Sequence, residues 1–204
     1  TWEEGESEKV RQTILRSLMK AKLKPEDIRY LFSGDLLGQL IATTFGVKEF
    51  EIPLFGLYGA CSTMGEALSL ASMTVDGGYA DTVLAVASSH FGSAEKQFRF
   101  PLEYGNQRPM SSTWTVTGCG AFVLSKEYGD VQISGITTGI VVDYGVKDSM
   151  NMGACMAPAA ANLIYQHFKD FECLPEDYDA IITGDLGEVG HDILCKLLYD
   201  QGFD

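Results

Sequence analysis

One feature limits what this 204-residue chain can fold into more than any other: it repeats itself. Pro25-Glu26-Asp27, six residues and Gly34-Asp35-Leu36 return as Pro175-Glu176-Asp177, six residues and Gly184-Asp185-Leu186, at an ungapped offset of 150. Apolar residues match between the anchors, Leu31 with Ile181 and Phe32 with Ile182, and Ile14 matches Ile164 upstream. One such triplet before a strand is common. Two in register, in matching helix and strand contexts, indicate duplication of a supersecondary unit. The first copy runs on past Asp35 through further strands and helices, whereas the second reaches one helix after Asp185. The expectation is a chain cut inside its second half, with the first half over residues 1–150 and an incomplete second half over 151–204.

The hydrophobic pattern fills in the unit. Val10, Ile14, Leu15, Leu18 and Met19 recur at helical spacing. Ile28–Phe32 and Ile52–Tyr58 read as strands, Gln39–Phe45 as a short helix, and Ser62–Val75 as a long one that Ser62 or Thr63 can cap and Asp76-Gly77-Gly78 stops. Thr82–Ala87 is a continuous apolar run, the signature of a strand buried on both faces. Phe91–Thr115 reads as a long polar and aromatic loop, a length that usually carries function. Val116–Ser125, Val131–Val142 and Ala180–Ile182 read as strands. Ala157–Phe171, with Pro158 in its first turn, and Asp192–Tyr199 read as helices. Strands alternating with helices predict an α/β protein with a mixed sheet and helices packed on both faces.

Composition removes several function classes. The formal charge is −13, from 15 Lys and Arg against 28 Asp and Glu, with no basic cluster. That argues against nucleic acid and against a lipid surface held by Lys and Arg. No run of about 18 apolar residues is long enough to span a bilayer. Thr1–Glu6 is acidic where a secretory leader is basic, so secretion is not expected. Five cysteines without a C-x-x-C fit neither a disulfide scaffold nor a zinc site, and suit a reducing compartment. His90, His167 and His191 have no metal-ligand spacing, so no metal or cofactor is expected.

Cys61 is the first residue that could carry chemistry. It stands between Leu57-Tyr58-Gly59-Ala60 and a helix, where N–H groups and the helix dipole favour a thiolate. The alternative, a small buried core cysteine, stands equally open. His90 follows the buried strand at the end where α/β sheets place ligands. His167 reads as part of a solvated helix face and His191 as a helix-terminus residue. Gly118-Cys119-Gly120 reads as close packing, and Met150, Met152, Cys155 and Met156 as core filler. Arg99 and Arg108 lie in the long loop with Phe98, Phe100, Tyr104 and Trp114. Arginine can hold a carboxylate bidentately and aromatic faces can stack on a flat ligand, while surface pairing with Glu95 or Glu103 is the plainer reading.

Gly59-Ala60-Cys61-Ser62-Thr63, Ala85-Val86-Ala87-Ser88-Ser89-His90 and Thr117-Gly118-Cys119-Gly120-Ala121 resemble the thiolase-like, ketoacyl synthase III-like superfamily, which is internally duplicated. Ser33-Gly34-Asp35-Leu36-Leu37, Phe98 through Gly105, Asp148-Ser149-Met150, Met156 through Ala161 and Thr183-Gly184-Asp185-Leu186 resemble, more narrowly, the stage V sporulation protein AD family of spore-forming Firmicutes. The resemblance implies a non-enzymatic protein that binds pyridine-2,6-dicarboxylic (dipicolinic) acid, alone or with calcium, and assists its uptake into the developing spore. It implies spore-operon membrane proteins as partners and a cytoplasmic or inner-spore-membrane location. It also implies a homodimer, with Val83–Ala87 as the apolar candidate strand. Cys61 falls on the nucleophile position, so a condensing or acyl-transferring enzyme is the alternative, and a scaffold without a pocket a third. Condensing enzymes carry a histidine where this chain has Thr183-Gly184-Asp185, and an aspartate has the wrong charge for an oxyanion. The expected ligand set is Cys61, His90, Arg99 and Arg108, with Asp185 nearby binding a water or a counter-ion.

Overall fold

The computed structural model describes residues 1–99, 108–109, 111–127 and 129–203. They form two compact units, the first from residues 1–99 and 115–134, the second from 108–114 and 135–203.

The first unit is a sheet covered on both faces. Helix α1 (Trp2–Ala21) leads through a Pro25–Asp27 turn into β1 (Tyr30–Gly34). Helix α2 (Ile41–Val47), β2 (Leu54–Gly56), α3 (Thr63–Asp76), β3 (Thr82–Ser89), α4 (Phe91–Phe98) and β4 (Gly118–Ser125) follow. The order in the sheet is β2-β1-β3-β4, with β1, β2 and β3 parallel and β4 antiparallel to β3. Alternation along the central strands builds two cores. Leu31, Leu84 and Val86 pack with Val10, Ile14 and Leu18 of α1, while Phe32, Val83 and Ala85 pack with Ala67 and Ala71 of α3. A strand with helices on both faces has no solvated side, which is why Thr82–Ala87 reads as an unbroken apolar run.

In the second unit, α5 (Met152–Phe171) and α6 (Gly187–Asp200) enclose Ala157, Ala161, Leu186 and Leu194, with Met156 packed against them.

The repeat is visible in local geometry. Helices α1 and α5 each have 20 residues, starting 150 residues apart. Each ends in a left-handed residue, Lys22 at φ 58° and Glu172 at φ 51°. Asp27 and Asp177 each accept the N–H three residues back, from Lys24 and Leu174, both at 2.8 Å.

Several expectations fail for physical reasons. Phe91–Thr115 is not loop throughout, because its first eight residues form α4; Phe100 and Tyr104 lie outside the described residues. Val131–Val142 and Ala180–Ile182 are not strands. A strand exists only through its ladder, and these segments have none, with Val141 and Ile182 more than nine-tenths exposed. Pro158 sits in the second turn of α5 because the helix starts at Met152. Strand β3 is central, hydrogen-bonded to β1 and β4 along both edges, so Val83–Ala87 has no open edge to offer a second copy.

Candidate functional site

Cys61 lies in a turn drawn tightly against the sheet. The Leu57 N–H donates to Ser33 O at 2.9 Å, continuing the β1–β2 pairing past Gly56. Gly34, the last residue of β1, lies so close beneath that a Cβ there would overlap the Leu57 carbonyl oxygen. At Gly59 a Cβ would stand 2.5 Å from Ser62 Oγ. Ala60 then takes a left-handed φ of 49°, a conformation costing a non-glycine residue roughly 1 kcal/mol. The expected capping differs. Ser62 Oγ turns back to donate to Gly59 O at 2.7 Å, and Thr63 Oγ1 accepts from the Gly59 N–H at 3.3 Å. Cys61 is therefore exposed, not a core cysteine. Glu66 puts a carboxylate in the first turn of α3, which competes with a thiolate for the positive end of that helix.

His90 is the N-cap of α4, its Nδ1 accepting the Gly92 N–H at 3.0 Å. That bond uses the Nδ1 lone pair, so Nε2 carries the proton and the neutral ring is a donor. Cys61 and His90 thus follow two parallel strands at the same, C-terminal, edge of the sheet. With β1 between them, β2 and β3 stand about 10 Å apart. Arg99 closes the other end of α4. Its Nε is 2.8 Å from the Glu95 carboxylate and both side chains are largely buried, so of the two readings the Glu95 pairing holds.

Arg108 and Asp185 belong to the second unit. The Arg108 guanidinium lies 3.6 Å from the centre of the Trp114 ring, and its Nη1 donates to Thr113 O at 3.2 Å. This is a stacked cation over a half-exposed aromatic face. Asp185 Oδ1 accepts the Gly187 N–H at 3.0 Å, closing the turn into α6. His167 is not a solvated bystander: its ring nitrogens lie 2.8 Å from Thr137 Oγ1 and 2.6 Å from Tyr178 OH.

A concavity of about 880 Å³ lies elsewhere. It is lined by Pro25–Arg29, Glu49–Pro53 and Gly78–Thr82, at the N-terminal edge of the parallel strands. A smaller one runs between α1 and Gly118-Cys119. Neither is lined by Cys61, His90, Arg99 or Arg108, so the cavity expected around Cys61 is not one of these two.

Sequence reasoning missed Glu6. It is fully buried on α1, accepting from Ser88 Oγ at 3.0 Å and Ser93 Oγ at 2.8 Å. Burial pushes its carboxyl above the usual range, against the two hydroxyl bonds, and the charge of Asp35 adds to the rise. The signal was available, because residues 6, 10, 14 and 18 share one helix face and all four are buried.

The family described as stage V sporulation protein AD (SpoVAD) matches residues 1–204. Stage V sporulation protein AD of Bacillus subtilis (strain 168) is 45% identical over 203 residues, covering all of this chain and 60% of that protein. The chain therefore spans less than two thirds of this curated relative. A 3-oxoacyl-(acyl-carrier-protein) synthase III aligns with TM-score 0.65 at 13% identity, over 97% of this chain and 69% of that one. A variant of Xanthomonas campestris OleA bound with cerulenin aligns with TM-score 0.72 at 14% identity, over 97% of this chain and 63% of that one. At such identities the likeness shows the fold alone, which is thiolase-like. No helix among the described residues is long and apolar enough to cross a membrane. With the family matched from end to end on a thiolase-like fold, this chain belongs to the stage V sporulation protein AD family.

Proposed function

We propose that the chain belongs to a non-enzymatic spore protein that binds dipicolinic acid and assists its uptake into the developing spore. The observation that carries the reading is the engagement of Asp185. Where condensing enzymes hold a histidine, this chain has a carboxylate tied to its own turn through the Gly187 N–H. Such a group neither shuttles a proton to a thiol nor stabilises an oxyanion, which favours binding over condensation.

A flat dianion leaving water needs donors and cations, because an unpaired buried charge is costly. In the first unit the Nε2–H of His90 and the N–H groups at the Cys61 turn are of the right kind, with Arg99 already neutralised by Glu95; the second unit, taken by itself, offers the Arg108 guanidinium on Trp114. Calcium would accompany the ligand, and the protein would work as a homodimer with membrane proteins of the same operon, at the inner spore membrane.

The test is calorimetry of the intact protein with dipicolinate, repeated on Cys61→Ala, His90→Ala, Arg99→Ala and Arg108→Ala. We expect parent binding that weakens by about tenfold or more in His90→Ala and Arg108→Ala, the scale of one hydrogen bond to a charged group. Parent protein that takes up no dipicolinate would sink the reading. The condensing-enzyme alternative is favoured by the exposed Cys61 after left-handed Ala60, a nucleophile-elbow arrangement. It requires an acyl adduct on Cys61 in intact-mass spectra after incubation with acyl thioesters.

A further inference from the structure

The first turns of α1 are fastened to α4 by three contacts. The Trp2 ring lies over Gly92, where a Cβ would come within 2.6 Å of it. Glu3 accepts from Lys96 Nζ at 2.8 Å. Between them, buried Glu6 takes Ser88 Oγ on one oxygen and Ser93 Oγ on the other. Ser88 is on β3 and Ser93 in the first turn of α4, so one carboxylate bridges the corner whose middle residue is His90.

We propose that Glu6 is a positioning residue for His90, and that the protonation of Glu6 sets the hydrogen-bond direction through that corner. Ser93 Oγ is 2.8 Å from Glu6 Oε2 and 3.1 Å from His90 O, and it has one hydrogen to give. With Glu6 ionised, that hydrogen goes to the carboxylate. When Glu6 takes a proton from water, its own O–H donates to Ser93 Oγ, and the Ser93 hydrogen passes to the His90 carbonyl. The Ser88 bond is kept in both states. A buried carboxylate that must hold two hydroxyls is the group on which such a reversal turns. The titratable groups facing Glu6 are Asp35 from the β1–α2 connection, His90 from the β3–α4 corner and Cys119 of β4.

For ligand binding the proposal rests on the reading of His90 as a ligand residue, and the experiment separates the two. In the intact ¹⁵N-labelled protein, the amides of Gly92 and Ser93 should share one titration step above the ordinary glutamate range. Glu6→Gln should abolish that step and shift the His90 ring nitrogen signals at fixed pH. A step that survives in Glu6→Gln, or His90 ring signals that superimpose on the parent's at every pH, overturns the proposal. Should Glu6→Gln fail to fold, Ser93→Ala decides: it keeps the carboxylate but cuts the relay, so the His90 carbonyl carbon should no longer shift across the step, and a persisting shift overturns the proposal. Dipicolinate affinity should change across the same pH window in the parent and lose that step in Glu6→Gln. A parent that binds no dipicolinate sinks the function proposed above, while the amide titration still decides the role of Glu6.

Discussion

Asp35 and Asp185 close the same turn in the two copies: each Oδ1 accepts the N–H two residues on, from Leu37 at 2.7 Å and from Gly187 at 3.0 Å. The copies differ in burial. Asp35 is 1% exposed and its second oxygen also takes the Thr43 N–H at 2.7 Å, binding α2 to the end of β1. Asp185 is exposed. Removing the side chain at 35 leaves two buried N–H groups without an acceptor, at roughly 1–3 kcal/mol each. Asp35→Ala should therefore lose about 3 kcal/mol in urea denaturation, and Asp185→Ala less than about 1 kcal/mol. Equal losses would show that the two turns are not doing the same job in different surroundings.

Glu6 gives stability a definite pH dependence. Its folded value lies above the unfolded one, with burial as the first cause, so the folded state holds the proton more tightly. The resulting stabilisation is fully present below the unfolded value of about 4.3 and is lost as pH rises through the raised folded value. The stability of the parent relative to Glu6→Gln should fall as pH increases across that window. Denaturation curves for the two proteins whose difference stays constant or grows with pH would contradict this.

The cysteines should sort by environment. Burial pushes the Cys119 thiol up to about 11, helped by the negative charge of Glu6 and opposed by a hydrogen bond with Thr13. Thiolate is the reactive form, so at pH 8 Cys119 should label last with iodoacetamide. Cys61, Cys155 and Cys195 are exposed and should label first. Peptide mapping that finds Cys119 modified as fast as Cys61 would contradict the burial argument.

Where sequence reading succeeded, a residue's own neighbours carried the signal. The stripe of Val10, Ile14 and Leu18 and the apolar run of β3 are local patterns, and each survives in the fold. Helix α4 was hidden because what holds it is distant: Trp2 over Gly92, Glu6 to Ser93 and Glu3 to Lys96 all reach across more than 80 residues. Val131–Val142 misled in the opposite sense, since apolar content marks what a strand could bury but not whether a partner strand exists. The places of Cys61 and His90 after strands were legible in the sequence. The tautomer of His90 and the neutralisation of Arg99 by Glu95 were not, since both depend on α4.

Gly34 offers the sharpest test of how the Cys61 turn is held. Its neighbours at the Cβ position are the Leu57 carbonyl and the Thr63 methyl, both in the segment that carries Cys61. A backbone carbonyl cannot swing aside as a side-chain end can. Gly34→Ala must therefore push the end of β1 away from Leu57 and stretch the 2.9 Å bond from the Leu57 N–H to Ser33 O. Overpacking of this kind costs about 1–3 kcal/mol. Gly65 is the control. It lies in α3 with nothing within 4 Å of its Cβ position, so Gly65→Ala should stabilise the protein by up to about 1 kcal/mol, the helix-propensity gain. The two variants should move in opposite directions in thermal denaturation. Gly34→Ala alone should also alter the rate at which Cys61 is alkylated, because only it displaces the Cys61 turn. If Gly34→Ala matches the parent in both stability and Cys61 reactivity, the close approach of β1 to Leu57 is not what positions Cys61.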